Sequence, residues 1–369
     1  MAKITLSNLA HSYLTDPQGP GDYALKRIDH TWEDGKAYAL LGPSGCGKTT
    51  LLNIISGLLT PSEGRVLFGE RDITRLSTEE RNIAQVFQFP VVYDTMTLFD
   101  NLAFPLRNRG VAKARVRERV ETVARMLDLT GSMKRKARGL TADAKQKISL
   151  GRGMVREDVA AILFDEPLTA IDPQLKWELR TQLKSLHRTF GHTMIYVTHD
   201  QTEALTFADE VAVMYEGEVV QIGAPEDLFE RPRHTFVGYF IGSPGMNLLP
   251  ARVAGSEAHL GGTRLALGRR YGQVSGGRIE IGIRPEFVAL GNDGGNDGEG
   301  LPVTVTRIED VGRHRIVRTD FQGREINAIV NEGQPLSEQM MSGQMTRVRF
   351  DPHSIKVYAD GWLIEGKSV

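Results

Sequence analysis

The chain of 369 residues contains a single cysteine, Cys46, so no disulfide can form within it. Such scarcity of cysteine is typical of proteins in a reducing compartment. No apolar run approaches the roughly 20 residues that a membrane-spanning helix needs, and the first residues contain no signal-peptide core. These absences lead us to expect a cytosolic protein whose association with a membrane depends on a partner.

The chain also has no excess of charge of either sign. Its 45 lysine and arginine residues almost balance its 46 aspartate and glutamate residues, which leaves a formal net charge of −1. Aromatic residues do not alternate with a basic patch. Because nucleic-acid-binding surfaces are usually basic, we expect no nucleic-acid partner.

Patterns typical of metal sites are missing as well. The histidines are scattered without the spacing of metal ligands. The segment 291–300 is rich in glycine and acidic residues, but it lacks the ligand spacing and the bidentate glutamate of a calcium loop. We therefore interpret it as the tip of a hairpin.

The most specific motif is Gly42-Pro43-Ser44-Gly45-Cys46-Gly47-Lys48-Thr49, which matches the phosphate-loop pattern G-x-x-x-x-G-K-[ST]. A short apolar strand, 37–41, precedes it, and a helix follows. Backbone N–H groups of such a loop surround phosphates, and the helix N-terminus adds positive potential. We therefore expect a nucleoside triphosphate site where Lys48 contacts the β- and γ-phosphates and the Thr49 hydroxyl binds magnesium.

The position of Cys46 in this loop leads to a further expectation. A thiol near a helix N-terminus usually favours its thiolate form. We expect alkylation of Cys46 to block ATP binding and bound ATP to protect the thiol. A small residue that merely fits the loop is the alternative.

A second motif is the acidic pair Asp165-Glu166, which directly follows the apolar run from Val159 to Phe164. The end of this predicted strand places Asp165 beside the phosphate loop, where its carboxylate can hold magnesium. Glu166 is then positioned to polarise a water molecule against the γ-phosphate. Two solvent-facing acids at a strand end are the alternative, which the phosphate loop upstream disfavours.

The periodicity of the chain divides it into two parts. Strands alternate with helices in the first part, which predicts an α/β domain. Ile4 and Leu6 indicate an edge strand, and residues 113–127 indicate a helix with a solvated, arginine-rich outer face. After Pro250, short alternating runs punctuated by glycine predict a small all-β domain of one or two barrels.

Several motifs in chain order resemble the ATP-binding-cassette (ABC) ATPases over roughly residues 1–240. They are the phosphate loop, Gln88 after Val86-Phe87, the acidic pair, Leu168-Thr169-Ala170-Ile171-Asp172, and Thr198-His199-Asp200. The segment from Ile281 to Glu286 resembles the C-terminal barrel of importer ATPases for sugars and polyols. Residues 82–96 and 139–147 resemble the ATPases of bacterial glycerol importers.

The resemblance implies a fold and a domain division. It implies an ABC ATPase domain over residues 1–240, which is a phosphate-loop α/β domain with a mixed sheet and a helical subdomain at about 89–155. A smaller all-β, OB-like barrel with a regulatory or dimerisation role is expected over residues 241–369.

The resemblance also implies the roles of individual residues. Tyr13 is expected to stack on adenine, with Tyr23 as a rival candidate. Gln88 is expected to contact the magnesium or the attacking water, and His199 to hold the γ-phosphate and Glu166 in register. Asp172 is expected to reach a second ATPase subunit. The expected catalytic residues are Glu166, His199, Gln88 and Lys48; the magnesium ligands are Thr49, Gln88 and Asp165; and the nucleotide-binding residues are Tyr13, Gly42, Pro43, Ser44, Gly45, Cys46, Gly47, Lys48, Thr49, Thr50, Gln88, Asp172 and His199.

One segment departs from the family. The signature helix normally begins Leu-Ser-Gly-Gly-Gln, whereas this chain has Leu140-Thr141-Ala142-Asp143-Ala144. Loss of both glycines keeps the backbone at a distance from a phosphate on the other subunit, and Asp143 adds a repelling charge. We therefore expect pairing with a second, different ABC ATPase. Two alternatives stay open: Asp143 merely caps the helix, or Thr141 and the helix N-terminus suffice in a symmetric dimer.

Together these features predict the ATP-hydrolysing subunit of an ABC importer for a small sugar or polyol such as glycerol, with ATP and magnesium as cofactors. It would lie on the cytoplasmic side of the cell membrane through two permease subunits, and an extracytoplasmic solute-binding protein would act indirectly. A soluble ABC ATPase without a transport role is one alternative, but it would carry two cassettes or a coiled-coil insertion. A regulatory nucleotide-binding module is the other, and the intact Lys48, Asp165, Glu166 and His199 argue against it.

Overall fold

The computed structural model describes residues 3–169, 171–291, 300–331 and 341–368. The chain forms two compact units, Met1–Pro225 and Glu226–Val369. The predicted hairpin tip at 291–300 lies outside the described residues, except for its two end residues.

The first unit combines strands and helices, as the alternation of patterns predicts. Its strands are β1 Ile4–His11, β2 Leu25–Trp32, β3 Ala37–Leu41, β4 Glu63–Phe68, β5 Arg71–Asp72, β6 Ala84–Val86, β7 Ile162–Asp165, β8 Met194–Thr198, β9 Glu210–Tyr215 and β10 Glu218–Gly223. Its helices are α1 Lys48–Ser56, α2 Leu98–Arg107, α3 Lys113–Met126, α4 Ala142–Met154, α5 Pro173–Phe190 and α6 Gln201–Phe207.

A six-stranded mixed sheet in the order β10-β9-β3-β8-β7-β6 positions the functional residues. All its neighbouring strands are parallel except β9 and β10. Every residue of β3 and β8 is buried, which explains their continuous apolar character. Because the central strands are parallel, their carboxyl ends meet at one edge of the sheet, and the polar residues that follow them are brought together there.

The other sheet of this unit has the order β2-β1-β4-β5. The expectation of an edge strand at Ile4 and Leu6 is wrong, because β1 pairs with β2 on one side and β4 on the other. Ile4 and Leu6 are buried in a core cluster of the unit. Alternation of side chains reports a half-buried strand, but it does not report how many neighbours that strand has.

The helix predicted at 113–127 is α3, and Val116, Val120 and Val123 form its buried face. The expectation that all its arginines are solvated is wrong for Arg119, which is buried. Its guanidinium donates to the carbonyls of Met154 and Val155 and lies 3.5 Å from the centre of the Phe190 ring. Arginine can satisfy its charge in this way because its planar head stacks on aromatic rings while its N–H groups donate.

The second unit is dominated by antiparallel strands, as the short alternating runs predict. Its helices are α7 Pro225–Glu230, which begins at the last residue of the first unit, and α8 Thr235–Phe240. Its strands are β11 Asn247–Pro250, β12 Arg252–Leu260, β13 Thr263–Tyr271, β14 Ile279–Ile283, β15 Val288–Leu290, β16 Leu301–Asp310, β17 His314–Phe321, β18 Arg324–Asn331, β19 Met345–Phe350, β20 Lys356–Ala359, β21 Trp362–Ile364 and β22 Lys367–Ser368. These strands form sheets in the orders β11-β14-β20-β21, β12-β13-β22 and β15-β19-β16-β17-β18. Among the described residues, no helix of either unit is long and apolar enough to cross a membrane.

Candidate functional site

The phosphate loop connects β3 to α1, and its glycines are required by the backbone. Gly47 has a φ of 98°, which favours glycine, and an added Cβ would lie 2.6 Å from the Ala24 carbonyl oxygen. A Cβ on Gly42 would clash with the Met214 carbonyl. The loop therefore folds tightly against two neighbouring segments, which leave no room for a side chain at Gly42 or Gly47.

Lys48 begins α1, and its ammonium is held by the loop itself. Nζ donates to the carbonyl oxygens of Gly42 at 2.9 Å and Pro43 at 2.8 Å, and the side chain is only 4% exposed. The charge is thus fixed within the loop, where it can act on a bound phosphate.

Cys46 differs from the expectation. Its side chain is 3% exposed, and burial raises the pKa of the thiol, although the nearby Lys48 ammonium counteracts this effect. The expectation that the thiolate is favoured is therefore wrong, because desolvation of the charged form outweighs the helix N-terminus and the lysine. The alternative of a small residue that fits the loop agrees better with this burial.

The acidic pair lies at the end of β7, beside the loop. The Thr49 hydroxyl donates to Asp165 Oδ1 at 3.3 Å. Burial raises the pKa of the Asp165 carboxyl, and the adjacent Glu166 raises it further, whereas the hydrogen bond from Thr49 and the charge of Lys48 lower it. The structure therefore brings Thr49 and Asp165 together as predicted.

Glu166 is oriented by an unusual backbone. Its φ is 45°, a conformation that side-chain-bearing residues rarely adopt, and its N–H donates to the Val197 carbonyl at 3.0 Å. Its Oε2 lies 3.1 Å from His199 Nδ1 and accepts from the Thr169 hydroxyl at 3.2 Å. Strained conformations of this kind cluster at active sites, and this one directs Glu166 to His199 rather than along β7.

Gln88 follows β6 by two residues and is half-buried. Val86 pairs with Phe164 in parallel register, so Gln88 and Glu166 each lie two residues beyond these paired positions of neighbouring strands. Thus Gln88, Glu166 and His199 follow three adjacent strands at the same edge of the sheet, as predicted.

The two candidate tyrosines have different partners. The Tyr13 hydroxyl lies 3.1 Å from Thr50 Oγ1, on the helix that follows the phosphate loop, and its ring is 66% exposed. The Tyr23 hydroxyl donates to Glu63 at 2.6 Å instead. The structure thus places Tyr13 next to the loop with an open ring face.

The next feature is the N-terminal caps of α5 and α4. Asp172 caps α5 by accepting from the Gln174 N–H at 3.0 Å, and Pro173 follows it at the first helical position, which is a common start of a helix. The alternative that Asp143 caps α4 is wrong, because Thr141 is the N-cap and accepts from the Ala144 N–H at 3.3 Å. Asp143 lies in the first turn.

Sequence reasoning missed Glu203, which is only 2% exposed. Its Oε2 accepts from the hydroxyls of Tyr196 at 3.0 Å and Thr198 at 2.9 Å, and its Oε1 lies 3.3 Å from Lys176 Nζ. The carboxylate thus links the residue before His199 to the first turns of α5. The only sequence signal is an acid four residues after His199, and such an acid is usually solvated on a helix face.

Comparison with known proteins adds independent evidence. The model of the ABC transporter family matches residues 25–169, the MalK OB fold domain matches 242–288, and the TOBE domain matches 281–357. The predicted fold, a phosphate-loop α/β domain followed by an OB-like barrel, is confirmed. The first match covers the phosphate loop and the acidic pair, and the other two matches cover most of the all-β unit.

Relatives resemble the chain over most of its length. It is 39% identical over 336 residues to the sn-glycerol-3-phosphate import ATP-binding protein UgpC of Chromobacterium violaceum, which covers 90% of this chain and 89% of the relative. It is 42% identical over 282 residues to the protein of the same name from Escherichia coli K12, with coverages of 76% and 78%.

Solved structures agree on the fold. The chain resembles cbiO1 from Clostridium perfringens, part of an ABC transporter complex, with a TM-score of 0.56, 26% identity and coverage of 62% of this chain and 90% of that one. It also resembles the ADP conformation of an ATP-binding cassette of an ABC transporter, with a TM-score of 0.52, 25% identity and coverages of 63% and 96%.

The predicted resemblance to ABC importer ATPases is therefore confirmed, and ATP is the nucleotide that this site takes. The chain is 39% identical to a relative that it covers over 89% of its length, and its phosphate loop and acidic pair have the geometry just described. It therefore belongs to the family of ABC transporter ATP-binding proteins and is an ATPase.

Proposed function

We propose that this ATPase drives import of a small phosphorylated polyol, of the class that contains sn-glycerol 3-phosphate. The names of the relatives and the MalK-type OB and TOBE domains support this choice. The proposed functional domains remain 1–240 for ATP hydrolysis and 241–369 for regulation or dimerisation. The ATPase would work on the cytoplasmic side of the membrane with two permease subunits, and a solute-binding protein would act through them.

One observation carries the catalytic part of the proposal: Thr49 of the phosphate loop contacts Asp165 at the end of β7, and Glu166 beside it contacts His199 at the end of β8. Glu166 would take a proton from the attacking water as its general base. His199 would hold this carboxylate and the γ-phosphate in register, and Lys48 would stabilise the charge that develops on the phosphate. Phosphoryl transfer to water depends chiefly on such positioning and neutralisation.

The remaining residues would bind rather than react. Thr49 and Asp165 fit magnesium, since hydroxyl and carboxylate oxygens 3.3 Å apart are the hard ligands that this ion prefers. When bound, the ion would neutralise phosphate charge. Gln88 would complete this ligand set, Tyr13 would stack on adenine, and Asp172 would contact the second ATPase.

The Glu166→Gln variant tests the assignment of the general base. It keeps the size of the side chain but removes its basicity, so we expect ATP binding to survive and turnover in the assembled transporter to fall by about 100-fold or more. A matched control is Glu216→Gln, because Glu216 also has a positive φ, of 47°, but lies in the turn between β9 and β10. Near-normal hydrolysis by Glu166→Gln would refute the assignment.

We further propose that this chain works opposite a different ATPase. Thr141 provides only its hydroxyl cap at the start of α4, while Ala142 and Asp143 replace the family's glycines. ATP bound to this chain could meet an intact signature on the partner, whereas ATP on the partner would face Asp143. One competent and one impaired site would result.

The decisive experiment assembles the transporter with this chain as its only ATPase. We expect weak ATP-driven transport that a second ATPase restores. In the restored transporter, Glu166→Gln in this chain should abolish transport, while the equivalent change in the partner should have a smaller effect. Vigorous transport by the assembly with one kind of ATPase would instead support a symmetric dimer.

A further inference from the structure

A cavity of about 290 Å³ lies in the second unit and includes none of the residues assigned to ATP. Its lining contains the cations Arg231, Arg284 and Lys356 and the aromatic rings of Phe229 and Phe287, and the Arg284 guanidinium lies 3.8 Å from the centre of the Phe229 ring. Glu230 is the only carboxylate among the lining residues. The lining thus combines three cations, one carboxylate and two aromatic rings.

The charge of Arg284 is not neutralised by an ion pair in the described part of the chain. The side chain is 4% exposed, and its guanidinium donates to the carbonyls of Phe229 and Ile241, both at 2.6 Å. Burial lowers the pKa of Arg284 to about 10. Carbonyl oxygens satisfy its hydrogen bonds, but they leave its full positive charge in the lining of the cavity.

Lys356, at the start of β20, adds a second charge. Across the ranges that the structure describes, its ammonium has neither a hydrogen bond nor an ion pair with protein. Burial lowers the pKa of Lys356, and so do Arg269, Arg231 and Arg284, whereas Glu230 raises it. Its three N–H donors are therefore available to a ligand, and an anion would relieve the repulsion among these cations.

We infer that this cavity binds a small phosphate monoester with an apolar body. Arg284 and Lys356 are two lining cations that form no ion pair within the described ranges, and together they match the charge of about −1.5 to −2 that a phosphate monoester carries at pH 7. Lys356 donates to the phosphate, Arg231 and Arg284 supply the field, and the aromatic rings contact the carbon skeleton. A cavity of about 290 Å³ is close to the lower end of the usual range for small-molecule sites.

The test uses the full-length protein with a saturating non-hydrolysable ATP analogue and magnesium, so that the phosphate loop is occupied. Calorimetric titration compares phenyl phosphate with inorganic phosphate, benzoate and phenol. We expect one phenyl phosphate per chain, bound more tightly than any of the other three compounds. Equal binding of inorganic phosphate would overturn the role of the aromatic rings, and equal binding of benzoate would overturn the choice of a dianion.

Variants locate the site. Lys356→Gln should weaken phenyl phosphate binding by about tenfold or more, since charge-assisted hydrogen bonds are the strong ones, and Lys356→Arg should retain most of it. The control is Lys367→Gln, because Lys367 is an exposed lysine of the same unit outside the cavity. Unchanged affinity in a folded Lys356→Gln protein, or the absence of saturable binding to the wild type, would overturn the inference.

A second variant tests the inferred binding site if Lys356→Gln does not fold. Phe287→Leu keeps every charge but shortens the apolar wall. We expect it to weaken phenyl phosphate while inorganic phosphate binds as before. Identical phenyl phosphate binding by Phe287→Leu and the wild type would overturn the inference.

Discussion

Two adjacent carboxylates, Asp165 and Glu166, have different surroundings because the backbone changes direction between them. Asp165 is the last residue of β7 and keeps the strand direction, so it lies against Thr49. Glu166 has a positive φ and lies against His199. The chain thereby separates a binding carboxylate from a candidate base within two residues.

The raised pKa of Asp165 leads to a prediction about Asp165→Asn. Burial disfavours the ionised carboxylate, so its ionisation reduces the free energy of unfolding above its pKa, and this cost disappears as the pH falls and Asp165 is protonated. At pH 7 we expect the nucleotide-free variant to have a Tm about 1–3 °C higher than the wild type. Magnesium-dependent ATP affinity should decrease.

Thermal unfolding with and without MgATP, at pH 7 and at acidic pH, checks this prediction. The control is Asp16→Asn in an exposed loop, which should change neither quantity. A lower Tm for Asp165→Asn at pH 7, or a gain that grows on acidification, would contradict the expected direction of the effect.

Cys46 shows how burial can outweigh local sequence context. Its position before a helix favours a thiolate, but the sequence does not report that the side chain turns into the core of the unit, where it is buried. Desolvation depends on a core cluster that includes residues far away in the sequence, such as Ile195 and Met214, and a motif cannot report these. The same reason explains why Arg119 was wrongly expected to be solvated.

At the scale of elements, α4 depends on a single side-chain cap. Thr141 accepts from the Ala144 N–H, and removal of such a cap costs about 1 kcal/mol. We expect Thr141→Ala to lower the Tm of the first unit by about 2–4 °C, whereas Thr141→Ser keeps the hydroxyl and should be close to the wild type.

Calorimetry of both Thr141 variants tests this role independently of ATP hydrolysis. If Ser and Ala destabilise equally, the methyl group rather than the hydroxyl supports the helix, and the cap assignment is wrong. Should ATP turnover also fall only in Thr141→Ala, the hydroxyl contributes to the interface with a second ATPase as well.

At the scale of the whole molecule, each unit has its own core. A core cluster of the first unit contains buried residues from Ile4 to Met214, and a cluster of the second contains residues from Leu249 to Val357. Neither cluster includes residues of the other unit. Independent cores are the usual condition for a domain to fold by itself.

We therefore expect a truncated chain ending near residue 245 to fold and to bind ATP. His199 is the last residue along the chain that we assign to the ATP site, so the truncation removes none of the assigned residues. Binding of a fluorescent ATP analogue checks this, with Lys48→Ala in the same truncated chain as the control that should lose affinity. A folded, soluble truncated chain without measurable ATP affinity would contradict the prediction.

The sequence by itself determined the phosphate loop, the acidic pair and their order with Gln88 and His199. It could do so because these features are local: the loop needs glycines at set positions, and a polar residue after a buried strand is visible in the chain. The change to an all-β unit was also predictable from the sequence, because the alternation of apolar residues with a period of two differs from helical spacing.

Only the tertiary structure decided which groups meet and how they are charged. It showed that Glu166 turns to His199, that Glu203 connects three elements, that β1 is an inner strand and that Cys46 is protonated more readily than its motif suggests. It also brought Arg284 and Lys356 to one cavity from distant positions in the chain. Burial and long-range pairing are properties of the folded chain, and no short pattern encodes them.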